Sequence, residues 1–189
     1  MKWIVIALLL AGLISCGDDE PTVPAYIDSG EVSVTLNGSD FLSQFNAGVR
    51  GEGNSPCYPN RFHLIVDYYD TTTDTERMGF SIMNVPFELG TYDIQLVTSS
   101  KSCLSDTVTG SFGTSVADGD ANGDLYLPMK EEKSQITLTS YNSSSQEVEG
   151  TFDVSYVITE DHRFNKTLKD APDTIRLTNG KFKVRYDIN

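Results

Sequence analysis

From Glu31 to Tyr186 the chain alternates apolar and polar residues with a period of two, and no run of ten or more residues carries a helical stripe. Val32, Val34 and Leu36 alternate with Glu31, Ser33 and Thr35 before the turn pair Asn37-Gly38. Phe62, Leu64, Val66 and Tyr68 share one side of a long strand read over residues 61–69. Met78, Phe80, Ile82 and Asn84 share a face of the next, which Pro86 ends because it has no N–H to give a ladder. Tyr92, Ile94 and Leu96 follow Gly90, and a weaker, glycine-broken strand runs from Val108 to Val116. Leu125 with Leu127, Ile136 with Leu138, and Phe152 through Ile158 continue the pattern. At the end, Ile175 and Leu177 precede Asn179-Gly180, a hairpin signal, and then Phe182, Val184 and Tyr186. Alternate side chains of a strand point to opposite faces, so such a chain buries its apolar set only by packing sheet against sheet. The expected fold is all-β: an antiparallel sandwich of about ten short strands, with a closed or partly open barrel as the alternative.

Charge narrows the partners. The 189 residues carry 14 Lys+Arg against 27 Asp+Glu, a formal net of −13. Nucleic acid demands a basic surface and is excluded as a partner. A body of roughly 160 residues suits one domain with a full core, and no internal repeat is visible.

The amino terminus reads as an address. Lys2 precedes an apolar run from Trp3 to Ile14, shorter than the roughly 20 residues a membrane-spanning helix needs. Leu13-Ile14-Ser15-Cys16 then resembles the lipobox of bacterial lipoproteins. That resemblance implies cleavage before Cys16, acylation of its thiol and a further acyl chain on the new amino terminus. Two chains already hold stably, so three make the anchor permanent. Asp18, Asp19 and Glu20 follow directly, and such an acidic run resembles the export signal that carries lipoproteins across the outer membrane in one large Gram-negative phylum. A solvated tether repelled by an anionic membrane is the alternative for the same residues. The expected organisation is a signal at 1–15, the lipidated cysteine with a flexible acidic tether at 16–30, and a single β domain at 31–189. The expected location is the outer membrane or the cell surface.

With Cys16 lipidated, Cys57 and Cys103 remain as an even pair in an oxidising compartment and are expected to form a disulfide. The loop it would close is worth roughly 4 kcal/mol on the chain-entropy account. Metal ligation needs more soft ligands than this pair supplies.

The search for chemistry returns one sharp pattern. Asp118-Gly119-Asp120-Ala121-Asn122-Gly123-Asp124-Leu125 places oxygen donors at alternate positions, glycine at the sixth for a bend and an apolar residue at the eighth. This is the front half of an EF-hand-type calcium loop, and Asp118, Asp120, Asn122 and Asp124 are the candidate Ca²⁺ ligands. The back half departs, with Met129 where the bidentate glutamate belongs. The competing reading is a polar hairpin, since Asp, Asn and Gly are turn residues in any case. His63 and His162 are the only histidines, and no nucleophile elbow or zinc-helix motif accompanies them. No catalytic residue is assigned and the chain is not expected to be an enzyme. Lys181, Lys183 and Arg185 read either as a cationic stripe for an acidic glycan or headgroup or as charges protecting a terminal edge strand. Tyr58, Tyr68, Tyr69 and Tyr141 read either as a sugar-stacking platform or as core and cross-strand aromatics.

Several motifs fall in an order that resembles a domain-of-unknown-function family of small bacterial lipoproteins. They are Val34-Thr35-Leu36-Asn37-Gly38-Ser39-Asp40-Phe41 with Phe41 as an aromatic plug, then Gly90-Thr91-Tyr92, the segments 135–141 and 148–154, and Ile175 to Phe182. The resemblance covers most of residues 31–186; the plug departs from the commoner tryptophan, and 159–173 looks like an insertion. It implies a compact β domain on a lipid tether and supplies no catalytic residues. The function expected is a non-catalytic structural or binding module at the cell surface, held to the membrane by lipid and meeting a protein or glycan partner. The alternative is a calcium-dependent carbohydrate-binding module. Cys16→Ser should release the chain into the aqueous phase or leave it unprocessed, read by detergent partitioning against the wild type.

Overall fold

The computed structural model describes residues 29–55, 58–73, 75–96, 107–116, 122–163 and 172–188. Ten strands run through them: β1 (Gly30–Leu36), β2 (Phe45–Ser55), β3 (Tyr58–Asp70), β4 (Glu76–Pro86), β5 (Gly90–Asp93), β6 (Thr109–Ser115), β7 (Asn122–Pro128), β8 (Gln135–Asn142), β9 (Glu147–Ile158) and β10 (Thr174–Ile188). Two short 3-10 turns, Phe41–Gln44 and Glu160–His162, are the helical segments among the described residues. No helix there is long and apolar enough to cross a membrane. The all-β class forms as expected. The strands make one mixed sheet in the order β1-β10-β2-β3-β4-β6-β7-β9-β8-β5, with β10 also paired to β9. That extra pairing returns the circuit β10-β2-β3-β4-β6-β7-β9 to its start. The strands are not spread evenly about an axis, so the sheet is sandwich-like and partly closed rather than round.

The period of two decides the inside. Phe62, Leu64, Val66 and Tyr68 of β3, Met78, Phe80 and Ile82 of β4, Phe112 of β6 and Tyr126 of β7 are all buried. So are Ile136 and Leu138 of β8, Phe152, Val154 and Tyr156 of β9, and Ile175, Leu177, Phe182, Val184 and Tyr186 of β10. Rings interlock across the interior: Phe80 lies 5.3 Å from Phe152, and Phe112 meets Tyr126 edge-on at 5.7 Å. Such tilted contacts add to area burial because the positive edge of one ring faces the negative face of the next. In β7 the inward residues are Asp124, Tyr126 and Pro128, while Leu125 and Leu127 take the outer face.

Three strand-level expectations change. Asn179-Gly180 is not a hairpin: β10 continues through it, and one extra residue is absorbed as a bulge between Leu177 and Gly180 against β9. Both flanking ladders resume beyond it, with Ser33 opposite Lys181 on one side and Gly180 opposite Phe152 on the other. Asn179 takes the left-handed φ of 57, and its N–H donates to Asp153 Oδ1 at 2.8 Å. A turn signal here served a bulge, because neighbours on both edges hold the chain to one direction. β2, which carries no alternating pattern, is a strand all the same: it pairs with β3 over its length and runs parallel to β10 at Gly51–Gly53. Phe41 is not the plug; it is 36% exposed, and its neighbour Leu42 fills the core instead. The body also begins slightly earlier than expected, since Gly30 is in β1 and Ser29 donates its N–H to Val49.

One end of the body gathers Ser29, the start of β3, the turn after β4, the end of β8 and the end of β10; we call it the Tyr186 end. At the opposite, Asp70 end lie the β3–β4 turn, Phe41 and the start of β10. A Cβ on Gly180 would sit 2.5 Å from the Phe152 ring, so Gly180→Ala should cost about 3 kcal/mol, the upper part of the overpacking range. Gly38 has open space around it and only a left-handed φ of 73, so Gly38→Ala should cost about 1 kcal/mol. Urea unfolding midpoints of the two variants check the order.

Candidate functional site

Of the residues singled out by sequence, Cys16, Cys57, Cys103, Asp118 and Asp120 lie outside the described residues. Asn122 and Asp124 lie within them, at the start of β7. Asn122 is exposed opposite Ser115, whereas Asp124 is 1% exposed on the inner face. The Asp124 N–H donates to Thr114 Oγ1 at 2.8 Å. Gly123 is a strand residue and does not take a left-handed φ. The described half of the proposed calcium loop therefore runs straight instead of curving its donors round a centre. Among the described residues no cluster of three His, Cys, Asp or Glu is placed to hold a metal.

Arg61 of β3 and Thr107, just ahead of β6, meet at Asn84. Arg61 Nη1 donates to the Asn84 carbonyl at 2.7 Å, and Asn84 Nδ2 donates to the Thr107 carbonyl at 3.4 Å. Arg61 follows Cys57 by four positions and Thr107 follows Cys103 by four. β3 and β6 flank β4 in the sheet. Asn84 itself is buried in a left-handed conformation, φ 65, inside a β4 bulge. His63 completes the group: its Nδ1 accepts the Asn84 N–H at 3.3 Å. Accepting there requires the neutral ring. Burial lowers the His63 pKa below its ordinary 6.5, against the opposing charge of Glu52 on β2. His63 is thus a structural acceptor. His162 is bound locally, to Thr159 Oγ1 at 2.6 Å.

The outer surface of the sheet has two characters. Over β1, β10, β9, β8 and β5 it is polar, with Ser33, Lys181, Thr151, Thr137 and Thr91 in one register row. Lys183 lies 2.8 Å from Glu149 and 3.4 Å from Glu147, and Arg176 forms a two-pronged pair with Glu132. The Arg176 pair holds the Glu132 carboxyl down at about 2. β10 is paired on both edges, so the terminal-edge account of its lysines does not hold, and Lys183 is committed to glutamates. Over β3, β4, β6 and β7 the surface is different. Ile65, Ser81 and Ser111 form one row, and Asp67, Gly79, Gly113 and Leu125 the next. Leu127 stands opposite Val157 beside them. Ser81 and Ser111 share a hydroxyl hydrogen bond of 3.1 Å. The small residues of β4 and β6 make a floor two strands wide, with Ile65 on one side and Leu125 and Leu127 on the other. Asp67 closes one flank in a 3.1 Å pair with Arg50; burial raises its pKa, the Arg50 charge lowers it in part, and Glu76 raises it.

Of the four tyrosines, Tyr68, Tyr69 and Tyr141 have described side chains, and these three do not share one platform. Tyr68 is buried beside Phe80, and Tyr69, one residue on, faces outward. Tyr141 belongs instead to an aromatic group at the Tyr186 end, stacked on Phe87 at 5.0 Å with Tyr186 4.5 Å from Phe87. Burial and the hydrogen bond with Tyr141 push the Tyr186 phenol up to about 12. Phe87 and Leu89 carried no periodic signal, because they sit in the turn between β4 and β5 where the period of two lapses. No family model, curated protein or solved structure matches this chain.

The Cys57–Cys103 bridge expected from the sequence lies outside the described residues; if it forms, a thiol assay of the denatured, non-reduced protein finds neither cysteine free. The His63 contact predicts a pH dependence. Its folded pKa lies below the unfolded value, so its contribution is fully present above pH 6.5. It shrinks as pH falls below that, until His63 protonates in the folded state too. His63→Asn keeps an acceptor near Nδ1 and should flatten this part of the stability curve, measured by urea unfolding across acid pH.

Proposed function

We propose that this chain is a lipid-anchored, non-catalytic docking module of the outer membrane or cell surface, a small lipoprotein of the kind its lipobox and motif order resemble. The observation that carries the docking reading is the uncharged floor of Gly79, Ser81, Ser111 and Gly113 between Ile65 and the Leu125–Leu127 pair. Solvent-facing sheet surfaces are ordinarily polar, as the β10–β9–β8 side of this molecule is. A half-buried, small-residue surface between apolar walls is what a protein partner packs against. The described histidines and the Lys183, Arg176 and Asp70 charges support the non-catalytic reading, since each is engaged in holding strands or turns.

The test uses Gly113. A Cβ there meets nothing nearer than 4.0 Å, so Gly113→Arg should fold while placing a charged obstacle on the floor. With a photo-crosslinking residue at Ser111 in intact cells, the wild type is expected to trap a defined protein and Gly113→Arg to lose it. Equal crosslinking by both proteins would remove this surface from the reading. Crosslinking abolished by a chelator and restored by calcium would favour the calcium-dependent carbohydrate-binding alternative.

A further inference from the structure

The place where the chain enters the body has a consequence for how the body stands on its membrane. Ser29 is fixed at the Tyr186 end: its N–H donates to the Val49 carbonyl at 2.9 Å, and its own carbonyl accepts the Arg185 N–H at 2.7 Å. Its hydroxyl oxygen accepts the Gly51 N–H at 3.3 Å, and Gly30 begins β1 opposite Val184. Residues 17–28 separate this point from Cys16, and the 13 steps from Cys16 to Ser29 span at most about 45 Å when fully extended. The 13 residues of β3 alone cover a similar distance, about 43 Å. For the Asp70 end to touch the bilayer, the tether would have to lie straight along the whole body. A flexible chain of that length has a far shorter mean span. Tethering therefore favours the Tyr186 end.

That end also has the side chains for the contact. Among the described residues Leu89 is the more exposed of two exposed large hydrophobics, at 65% against 36% for Phe41. It projects from the β4–β5 turn, which Tyr92 braces by donating its hydroxyl to the Glu88 carbonyl at 2.8 Å. Phe87 of the same turn is half-buried and stacked on the half-buried Tyr141. An aliphatic tip with aromatic rings at the same end, one with a polar hydroxyl, matches the layered polarity of a membrane interface. Lys183 lies against Glu147 and Glu149, with Arg185 two residues on, so these carboxylates exert little repulsion on an anionic leaflet.

We propose that the Tyr186 end is a membrane-resting surface, with Leu89 inserted at the headgroup–acyl boundary of the bilayer that holds the lipid of Cys16. This rests on the lipid-anchor reading above. It fixes an orientation in which the Asp70 end points away from the membrane.

Tryptophan fluorescence tests it. Trp3 is the one tryptophan of the chain and leaves with the signal, so Leu89→Trp and Phe41→Trp each give the processed protein a single reporter at an exposed apolar position. Both full-length, processed variants are reconstituted into vesicles of phosphatidylcholine brominated on its acyl chains and floated on a gradient. The expected result is quenched, blue-shifted emission from Leu89→Trp and unquenched emission from Phe41→Trp. Floated protein with equal quenching, or with the reverse order, overturns the orientation while leaving the anchor in place. Protein absent from the floated vesicles overturns the anchor reading and the orientation with it.

Discussion

β10 uses both hydrogen-bonding edges along most of its length, and the rest of the body depends on that. One edge carries β9 from Thr174 to Arg185, and the other carries β1 and then β2. Without the β9 ladder, the ten strands would be an open ribbon with two long edges and no enclosed interior. With it, the inward faces of β3, β4 and β6 are brought against those of β9 and β10, and Phe80 meets Phe152. The bulge at Leu177–Gly180 makes this possible, since an extra residue raises local twist and bends the strand. Gly180 allows the Phe152 ring to lie against the bent backbone, where a Cβ would intrude.

Because one sheet encloses the core, its outer surface is continuous, and its chemistry is set strand by strand. On the β10 side, residues alternating with Phe182, Val184 and Tyr186 are Lys181, Lys183 and Arg185, and β9 answers with Glu147 and Glu149. Such exposed pairs contribute little stability individually, but they keep that face wet. On the β4–β6 side, the residues alternating with Met78, Phe80, Ile82 and Phe112 are glycine and serine. Nothing charged projects from the middle of that floor, and the apolar walls on β3 and β7 remain half-covered. The docking reading and the membrane-resting end thus draw on different parts of one sheet.

The bulge residue Asn84 links neighbouring parts of that sheet. Its backbone and side chain engage Arg61 and His63 on β3 and Thr107 just ahead of β6, the two strands that flank β4. A left-handed asparagine in a strand is strained for most side chains but accessible to Asn, and here it aims its groups at neighbours on both sides. His63 serves as an acceptor because the Asn84 N–H, displaced by the bulge, no longer faces a ladder carbonyl.

Alternation alone was enough to read the all-β class and the inward faces of β3, β4, β8 and β9, because burial on one side of a strand imposes a period of two on its residues. The address at Cys16 and the pairing of Cys57 with Cys103 are also readings of sequence, and they concern residues beyond those described. Tertiary structure decided what periodicity cannot encode. Phe45–Ser55, rich in glycine, became a strand because β3 and β10 offered it partners. Asn179-Gly180 has the local conformation of a turn, yet ladders on both edges made it a bulge. Leu125 and Leu127 went outward and Tyr126 inward, since register with β6 and β9 fixed the face and hydrophobicity did not. Phe87 and Tyr141 met only when the β4–β5 turn and the end of β8 were folded to one end. Strand faces follow from residue order because the pleat is local; strand neighbours and the surfaces they compose follow from closure of the sheet, which is not.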